Sequence, residues 1–100
     1  MQVSRTTDER IADTFRLLGD PTRVRILLAL DAGDELCVHE IAERIGAGET
    51  KVSQALRLLR TAGIVRNRRD GRHIHYRLDD QHVRTLLRVT ADHLDHEARR

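Results

Sequence analysis

The sequence is poor in cysteine, in aromatic residues and in long apolar runs. Cys37 is the only cysteine, which excludes an intramolecular disulfide and dithiol redox chemistry and is consistent with a reducing compartment. Phe15 and Tyr76 are the only aromatic residues, so Leu, Ile, Val and Ala must fill the core. The longest apolar run, residues 26–30, is far shorter than the ~20 residues that cross a bilayer. Since no signal pattern is visible at the N-terminus, we expect a cytoplasmic location.

Positive charge is concentrated in one region of the chain. The formal net charge is only +2, yet residues 51–77 hold eight basic side chains and a single acid, Asp70. A positive field confined to one region favours a polyanion as the partner. The length of 100 residues predicts one domain, residues 1–100, and so short a chain would gain stability from dimerisation.

Helical periodicity accounts for the first two thirds of the chain. A first amphipathic helix is predicted to start at Thr7 and to stop at Gly19, and a largely buried second helix runs from Asp20-Pro21 to about Ala32, where Gly33 ends it. A third short helix covers about residues 38–45. After a glycine-containing turn comes a fourth, over about residues 50–62, with Thr50 as a candidate cap. Helix, turn and helix in this order predict a helix-turn-helix with the fourth helix as its recognition helix.

After Gly63 the apolar period changes from 3.6 residues to 2. Two alternating runs flank Asp70-Gly71, which is a strong hairpin signal, so residues 64–78 are predicted to form a two-stranded wing. A basic hairpin directly after a helix-turn-helix makes a winged helix. The predicted fold is therefore mostly α with a small β-hairpin, a winged helix-turn-helix.

A last helix, predicted over about residues 80–97, carries histidines at both of its ends. Asp80 and His82 lie at its start, and His93 and His96 lie near its end. His82 and His93 are eleven residues apart, so they share a face but lie about 16 Å apart along the axis. They cannot bind one ion within one straight helix.

A second copy of this helix, packed antiparallel, would bring the two ends together. The Asp80/His82 end of one subunit would then lie beside the His93/His96 end of the other, giving two equivalent sites per dimer. Asp80 must occupy the N-cap to lie beside His82. Three imidazole nitrogens and one carboxylate oxygen match a closed tetrahedral zinc site. A solvated helix end rich in Asp and His is the alternative, but four donors at two self-complementary ends favour the metal site.

The last helix also carries an apolar stripe at helical spacing. The stripe consists of Val83, Leu86, Leu87, Thr90 and Leu94. Such a stripe is more often ordinary core. We interpret it here as a dimer face, to which the first helix also contributes.

Several motifs together carry a family resemblance that covers nearly the entire chain. They are residues 18–27, 35–38 and 52–59, and the Asp70-Gly71-Arg72 turn with Tyr76. These segments resemble the ArsR/SmtB metal-sensing repressors. Residues 78–83 with His93 and His96 are similar to the CzrA-type subgroup, which senses zinc or cobalt through paired C-terminal helices.

The resemblance implies a function and a ligand set. An apo homodimer would bind operator DNA, and zinc or cobalt would lower that affinity and release transcription of efflux or sequestration genes. Asp80 and His82 of one subunit and His93 and His96 of the other would be the ligands. We expect no enzymatic activity, because all four ligands come from the protein and no His-Glu-x-x-His pattern occurs. We expect neither a membrane nor a small organic substrate as a partner.

Three alternatives stay open. Nickel sensors with the same C-terminal ligands recruit N-terminal ones, including a histidine, and residues 1–9 contain no histidine, which favours Zn²⁺ or Co²⁺ over Ni²⁺. Cys37 and His39 resemble the thiolate motif of another subgroup and form a second candidate metal site, ranked lower because no N-terminal Cys or His completes it. The third alternative is a winged-helix regulator that responds to a non-metal effector.

DNA contacts are assigned from the predicted recognition helix and wing. Ser53 and Gln54 are the candidates for base edges, since Gln can pair bidentately with adenine. Phosphate contacts are assigned to side chains of the fourth helix and the wing: Thr50, Lys51, Arg57, Arg68, Arg69 and Arg72. A twofold dimer predicts an inverted-repeat operator.

Overall fold

The computed structural model describes residues 5–99, and within them lie five helices and three strands. The helices are α1 (Thr7–Leu18), α2 (Pro21–Gly33), α3 (Val38–Ile45), α4 (Glu49–Thr61) and α5 (Gln81–Ala98), and the strands are β1 (Glu35–Cys37), β2 (Val65–Asp70) and β3 (His73–Leu78). The strands form one antiparallel sheet in the order β1-β3-β2. The predicted winged helix-turn-helix is confirmed, with α3 and α4 as its two helices and β2–β3 as its wing.

Polar caps determine where three of the helices begin. Thr6 Oγ1 accepts a hydrogen bond from the Glu9 N–H at 3.3 Å, and Asp20 Oδ2 accepts one from the Arg23 N–H at 3.0 Å. These bonds satisfy N–H groups that have no partner inside the helix. Asp80 caps α5 in the same way, as the sequence predicts.

Several of the approximate helix bounds predicted from the sequence differ by one residue from the observed ones. Helix α4 begins at Glu49 after Gly48, without a capping side chain, so Thr50 lies inside the helix and does not cap it. Helix α2 includes Gly33, and the chain leaves the helix at Asp34, whose φ is +61°. A Cβ at Gly33 would lie 2.7 Å from a guanidinium nitrogen of Arg44, the end of a flexible side chain that can move aside at little cost.

Strand β1 was not predicted from the sequence. It pairs with β3 so that Leu36 lies opposite Tyr76 and Cys37 opposite His75. Leu36 is 3% exposed and belongs to the core. Three residues are too few to show a period of two, so nothing local in the sequence marks this strand.

The core is aliphatic and lies between α2, α3, α4 and the base of the sheet. Its fully buried side chains are Ile26, Leu27, Leu30, Ile41, Val52, Leu56, Leu59 and Val65. Helix α5 adds one buried residue, Val83, and two half-buried ones, Leu86 and Leu87. In residues 5–99 no helix combines the length and the apolar character needed to cross a membrane.

Candidate metal and DNA-binding sites

The first turn of α5 brings Asp80 and His82 together. Asp80 Oδ1 accepts hydrogen bonds from the backbone N–H groups of His82 at 2.9 Å and Val83 at 3.1 Å. The same oxygen lies 3.7 Å from His82 Nδ1, and the imidazole is fully exposed. Metal–ligand bonds of about 2.0 to 2.2 Å place neighbouring donor atoms of one ion about 3 to 4 Å apart. The capping geometry therefore suits a shared ion, with His82 supplying a nitrogen and Asp80 an oxygen.

The other end of α5 carries His93 and His96, one turn apart and exposed. His93 Nε2 lies 3.3 Å from Glu97 Oε2 on the next turn. Within residues 5–99 no group of three or more His, Cys, Asp or Glu side chains is placed to hold a metal. One chain thus offers two donors at each end of α5. The assembly of all four into one site remains a prediction about two chains.

Cys37 and His39, the second candidate metal pair, face different partners. Cys37 is the N-cap residue of α3, and its N–H donates to Glu40 Oε1 at 3.0 Å. That hydrogen bond is the main reason why the pKa of Glu40 lies below its ordinary value. His39 lies 3.6 Å from Glu43 and 3.7 Å from Glu49, so it bridges α3 to the first turn of α4.

The polar face of α4 borders an open cleft next to the wing. The residues of α4 that the sequence analysis assigns to DNA are all exposed: Thr50, Lys51, Ser53, Gln54 and Arg57. The cleft has a volume of about 560 Å³ and is lined by Ser53, Gln54, Arg57, Leu58 and Arg60 of α4 and by Asn67, Ile74 and Tyr76 of the wing. Asn67 and Tyr76 line this cleft although the sequence analysis did not single them out as candidates for a site. The sequence offered one signal for placing them there, because side chains alternate between the two faces along each predicted strand of the wing.

The two faces of the wing differ in how their arginines are engaged. Side chains alternate along β2, so Asn67 and Arg69 lie on the α4 side and Arg66 and Arg68 on the outer side. On that outer side Arg68 Nε lies 2.9 Å from both carboxylate oxygens of Glu35. This contact is the main cause that lowers the pKa of Glu35 and raises that of Arg68.

The remaining outer arginines are also paired. Arg66 and Arg77 lie 2.7 Å and 3.4 Å from the two carboxylate oxygens of Asp79. In the described part of the chain five basic residues of the 51–77 region form no ion pair: Lys51, Arg57, Arg60, Arg69 and Arg72. The unneutralised positive charge of this region therefore lies on α4 and at the tip of the wing.

Comparison with known proteins identifies the family. A model described as "Bacterial regulatory protein, arsR family" matches residues 20–67, from the cap of α2 into β2. The HTH-type transcriptional regulator NmtR of Mycobacterium tuberculosis is 41% identical over 87 residues, which are 87% of this chain and 72% of that protein. The chain belongs to the arsR family.

Other transcriptional repressors are similar along most of the chain. The transcriptional repressor SmtB homolog of Synechocystis sp. is 44% identical over 86% of this chain and 64% of that protein. The crystal structure of AntR, an antimony-specific transcriptional repressor, matches with a TM-score of 0.87 and 28% identity over 100% of this chain and 90% of AntR. The chain spans 58 to 64% of the length of three curated relatives that it matches. The arsR-family model ends before α5, so it covers the helix-turn-helix but not the histidines of α5.

Proposed function

We propose that this arsR-family chain is a metal-responsive transcriptional repressor. Its apo homodimer binds an inverted-repeat operator, and Zn²⁺ or Co²⁺ at sites between the subunits lowers that affinity and releases efflux or sequestration genes. The observation that carries the proposal is the Asp80/His82 pair, held together by the cap of α5, with two further imidazoles on the same helix. Neither end of α5 is a complete site in one chain, whereas two antiparallel copies supply four donors at each site.

Exposed apolar surface supports the dimer. An apolar groove of about 340 Å³ lies between α1, α2 and α5 and is lined by Phe15, Leu18, Gly19, Val24, Leu28, Leu86, Leu87, Thr90, Ala91 and Leu94. Phe15 is 55% exposed and Leu94 is 60% exposed. A contiguous exposed apolar groove favours contact with another protein surface. We therefore assign α1 and the part of the α5 stripe from Leu86 to Leu94 to contacts with a second copy. Val83, the first residue of the predicted stripe, is buried in the core of its own chain instead.

The DNA-binding part of the proposal follows the unpaired charges. Helix α4 enters the major groove, where Ser53 and Gln54 meet base edges. Phosphates are contacted by Thr50, Lys51, Arg57, Arg69 and Arg72. Arg68 reaches a phosphate only if it gives up Glu35, so we assign it the smaller contribution.

The donor set determines which metals suit the site. Three imidazoles and one carboxylate are a tetrahedral set of the kind that Zn²⁺ takes in closed sites. When bound, such an ion supplies a link between the α5 helices of two subunits. We leave Cys37 and His39 out of this proposal, because their contacts run to separate carboxylates.

A titration of labelled operator DNA tests the proposal. Fluorescence anisotropy is measured at fixed salt and pH with chelator, with Zn²⁺ and with Ni²⁺. We expect tight binding with chelator, weaker binding with Zn²⁺, and no zinc effect in a His93→Ala/His96→Ala variant. A response to Ni²⁺ alone would favour the nickel alternative. DNA binding that ignores both metals would favour a non-metal effector.

A further inference from the structure

Helix α5 is joined to the rest of the chain by little apolar contact. Only Val83 is buried, Leu86 and Leu87 are half-buried, and the last turns are exposed. Within one chain the apolar contacts of this 18-residue helix are confined to its first two turns. Polar contacts also join it to the rest of the chain.

Asp31 near the end of α2 supplies such contacts. Its Oδ1 accepts hydrogen bonds from Arg84 Nε at 2.6 Å and from an Arg88 guanidinium nitrogen at 3.1 Å. The side chains of Asp31 and Arg84 are only 19% and 22% exposed. Arg84 also donates to the carbonyl oxygen of Leu78 at 3.4 Å. One arginine thus ties α5 to both α2 and the end of β3.

The arginines and the metal donors lie on different sides of α5. At ~100° per residue, Arg84 and Arg88 lie about 120 to 160° around the helix from His82, whereas His93 lies within about 20° of it. Asp31 therefore holds α5 on the side away from the metal donors. If metal binding to a second subunit displaced the histidine side of α5, the contacts of Asp31 on the opposite side would resist that displacement.

Helix α2 is the part of the fold that receives this contact. It packs against both α3 and α4, the two helices of the helix-turn-helix. A displacement of α5 therefore reaches the DNA-binding helices through α2 if the link at Asp31 is intact. An effector changes DNA affinity only through a difference between two such arrangements.

We propose that Asp31 is a positioning residue that couples the metal-bearing helix α5 to the helix-turn-helix. The inference rests on the proposed function, because it assigns a route by which that site acts. Asp31 is not one of the proposed metal ligands or DNA contacts. Loss of its carboxylate should therefore leave both binding events in place and weaken the link between them.

The test compares Asp31→Asn with Asp34→Asn. The control removes the same charge three residues later in the chain. The side chain of Asp34 is exposed and forms no ion pair within residues 5–99. Asparagine tolerates the positive φ at this position. Operator affinity is measured with chelator and with saturating Zn²⁺, and zinc affinity is measured by competition with a chelating dye. The operator dissociation constant with Zn²⁺, divided by the one with chelator, measures the coupling between zinc binding and DNA binding.

For the wild type and Asp34→Asn we expect a ratio of about 5 to 150, the usual range of such couplings. For Asp31→Asn we expect the ratio to fall at least tenfold, or to about 1 if the wild-type ratio is below ten. The zinc affinity and the operator affinity of the apo protein should each change less than about threefold. An unchanged ratio in Asp31→Asn would overturn the proposal and leave the ion pair a purely stabilising contact. If Asp31→Asn fails to fold, Arg88→Gln removes only the more exposed arm and should reduce the ratio partially.

Hydrogen exchange separates this inference from the proposed function. In apo protein the amides of α5 should exchange faster in Asp31→Asn than in Asp34→Asn, because the contact that orders the helix is lost. If the operator affinity of the wild type did not change with Zn²⁺, the proposed function would be refuted, and the proposed coupling with it. The exchange rates would still show whether Asp31 positions α5, and equal rates in the two variants would refute that role.

Discussion

Arg68 and Glu35 form a bidentate ion pair across the outer face of the sheet. The residues are 33 positions apart in the sequence, and β3 lies between their strands. Arg69, the next residue, lies on the opposite face and forms no ion pair within the described chain. Two adjacent arginines of the wing therefore have different environments, although the sequence presents them as equivalent.

This difference predicts unequal effects on DNA binding. Arg69→Ala should weaken operator binding and reduce the salt dependence by about one unit of slope, because one phosphate contact is lost. Arg68→Ala should change both quantities much less. The measurement is operator affinity over a series of salt concentrations. A larger loss for Arg68→Ala would show that the ion pair with Glu35 opens when DNA binds.

Asp80 is predicted to have two separable roles, as a cap and as a metal ligand. Serine preserves an N-cap but lacks a carboxylate, whereas alanine provides neither. Asp80→Ser should therefore keep the thermal stability of the apo protein and lose zinc affinity. Asp80→Ala should lose zinc affinity and also about 1 kcal/mol of the free energy of unfolding. Wild-type zinc affinity in both variants would remove Asp80 from the ligand set.

The exposed apolar side chains predict how to separate the subunits. Leu94→Glu and Phe15→Glu should raise the dissociation constant of the apo dimer, because each buries a charge in the interface. Both side chains are more than half exposed in one chain, so the monomer should stay folded. Sedimentation velocity measures the assembly and circular dichroism the helix content. Thr61→Glu, exposed at the end of α4, is the control. Dimers unaffected by the first two changes would place the interface elsewhere.

The pair formed by Asp31 predicts a dependence of stability on pH. Burial, the largest single influence, would raise the pKa of Asp31, but the hydrogen bonds and charges of Arg84 and Arg88 together outweigh it, so the pKa lies below its ordinary value of 3.8. A carboxyl whose pKa is lowered by folding contributes stability above its unfolded pKa, and this contribution is lost as the pH falls through the folded pKa.

Asp31→Asn should therefore be less stable than the wild type by about 1 to 2 kcal/mol at pH 7. The difference should shrink as the pH falls below about 4. Urea unfolding at several pH values measures it. A difference that is constant with pH would mean that the substitution acts through packing and not through the charge of the carboxylate.

Local patterns were sufficient to predict much of the fold. The N-cap at Asp80, the turn at Asp70-Gly71 and the bounds of α3 depend on neighbouring residues, so they are visible in a single sequence. The ion pairs of Glu35 with Arg68 and of Asp31 with Arg84 join residues 33 and 53 positions apart. No local pattern selects those partners among eighteen basic residues.

The donor side of α5 has few packing constraints. His82 is fully exposed and His93 is 70% exposed, so replacing either costs the fold little. Val83 and Arg84, which hold the helix against the rest of the fold, are not among the proposed metal ligands, and of the four proposed ligands only Asp80 also stabilises the helix, as its cap. In evolutionary terms, single substitutions at these exposed histidines would change the set of donor side chains on α5 while leaving the stability of the fold nearly unchanged.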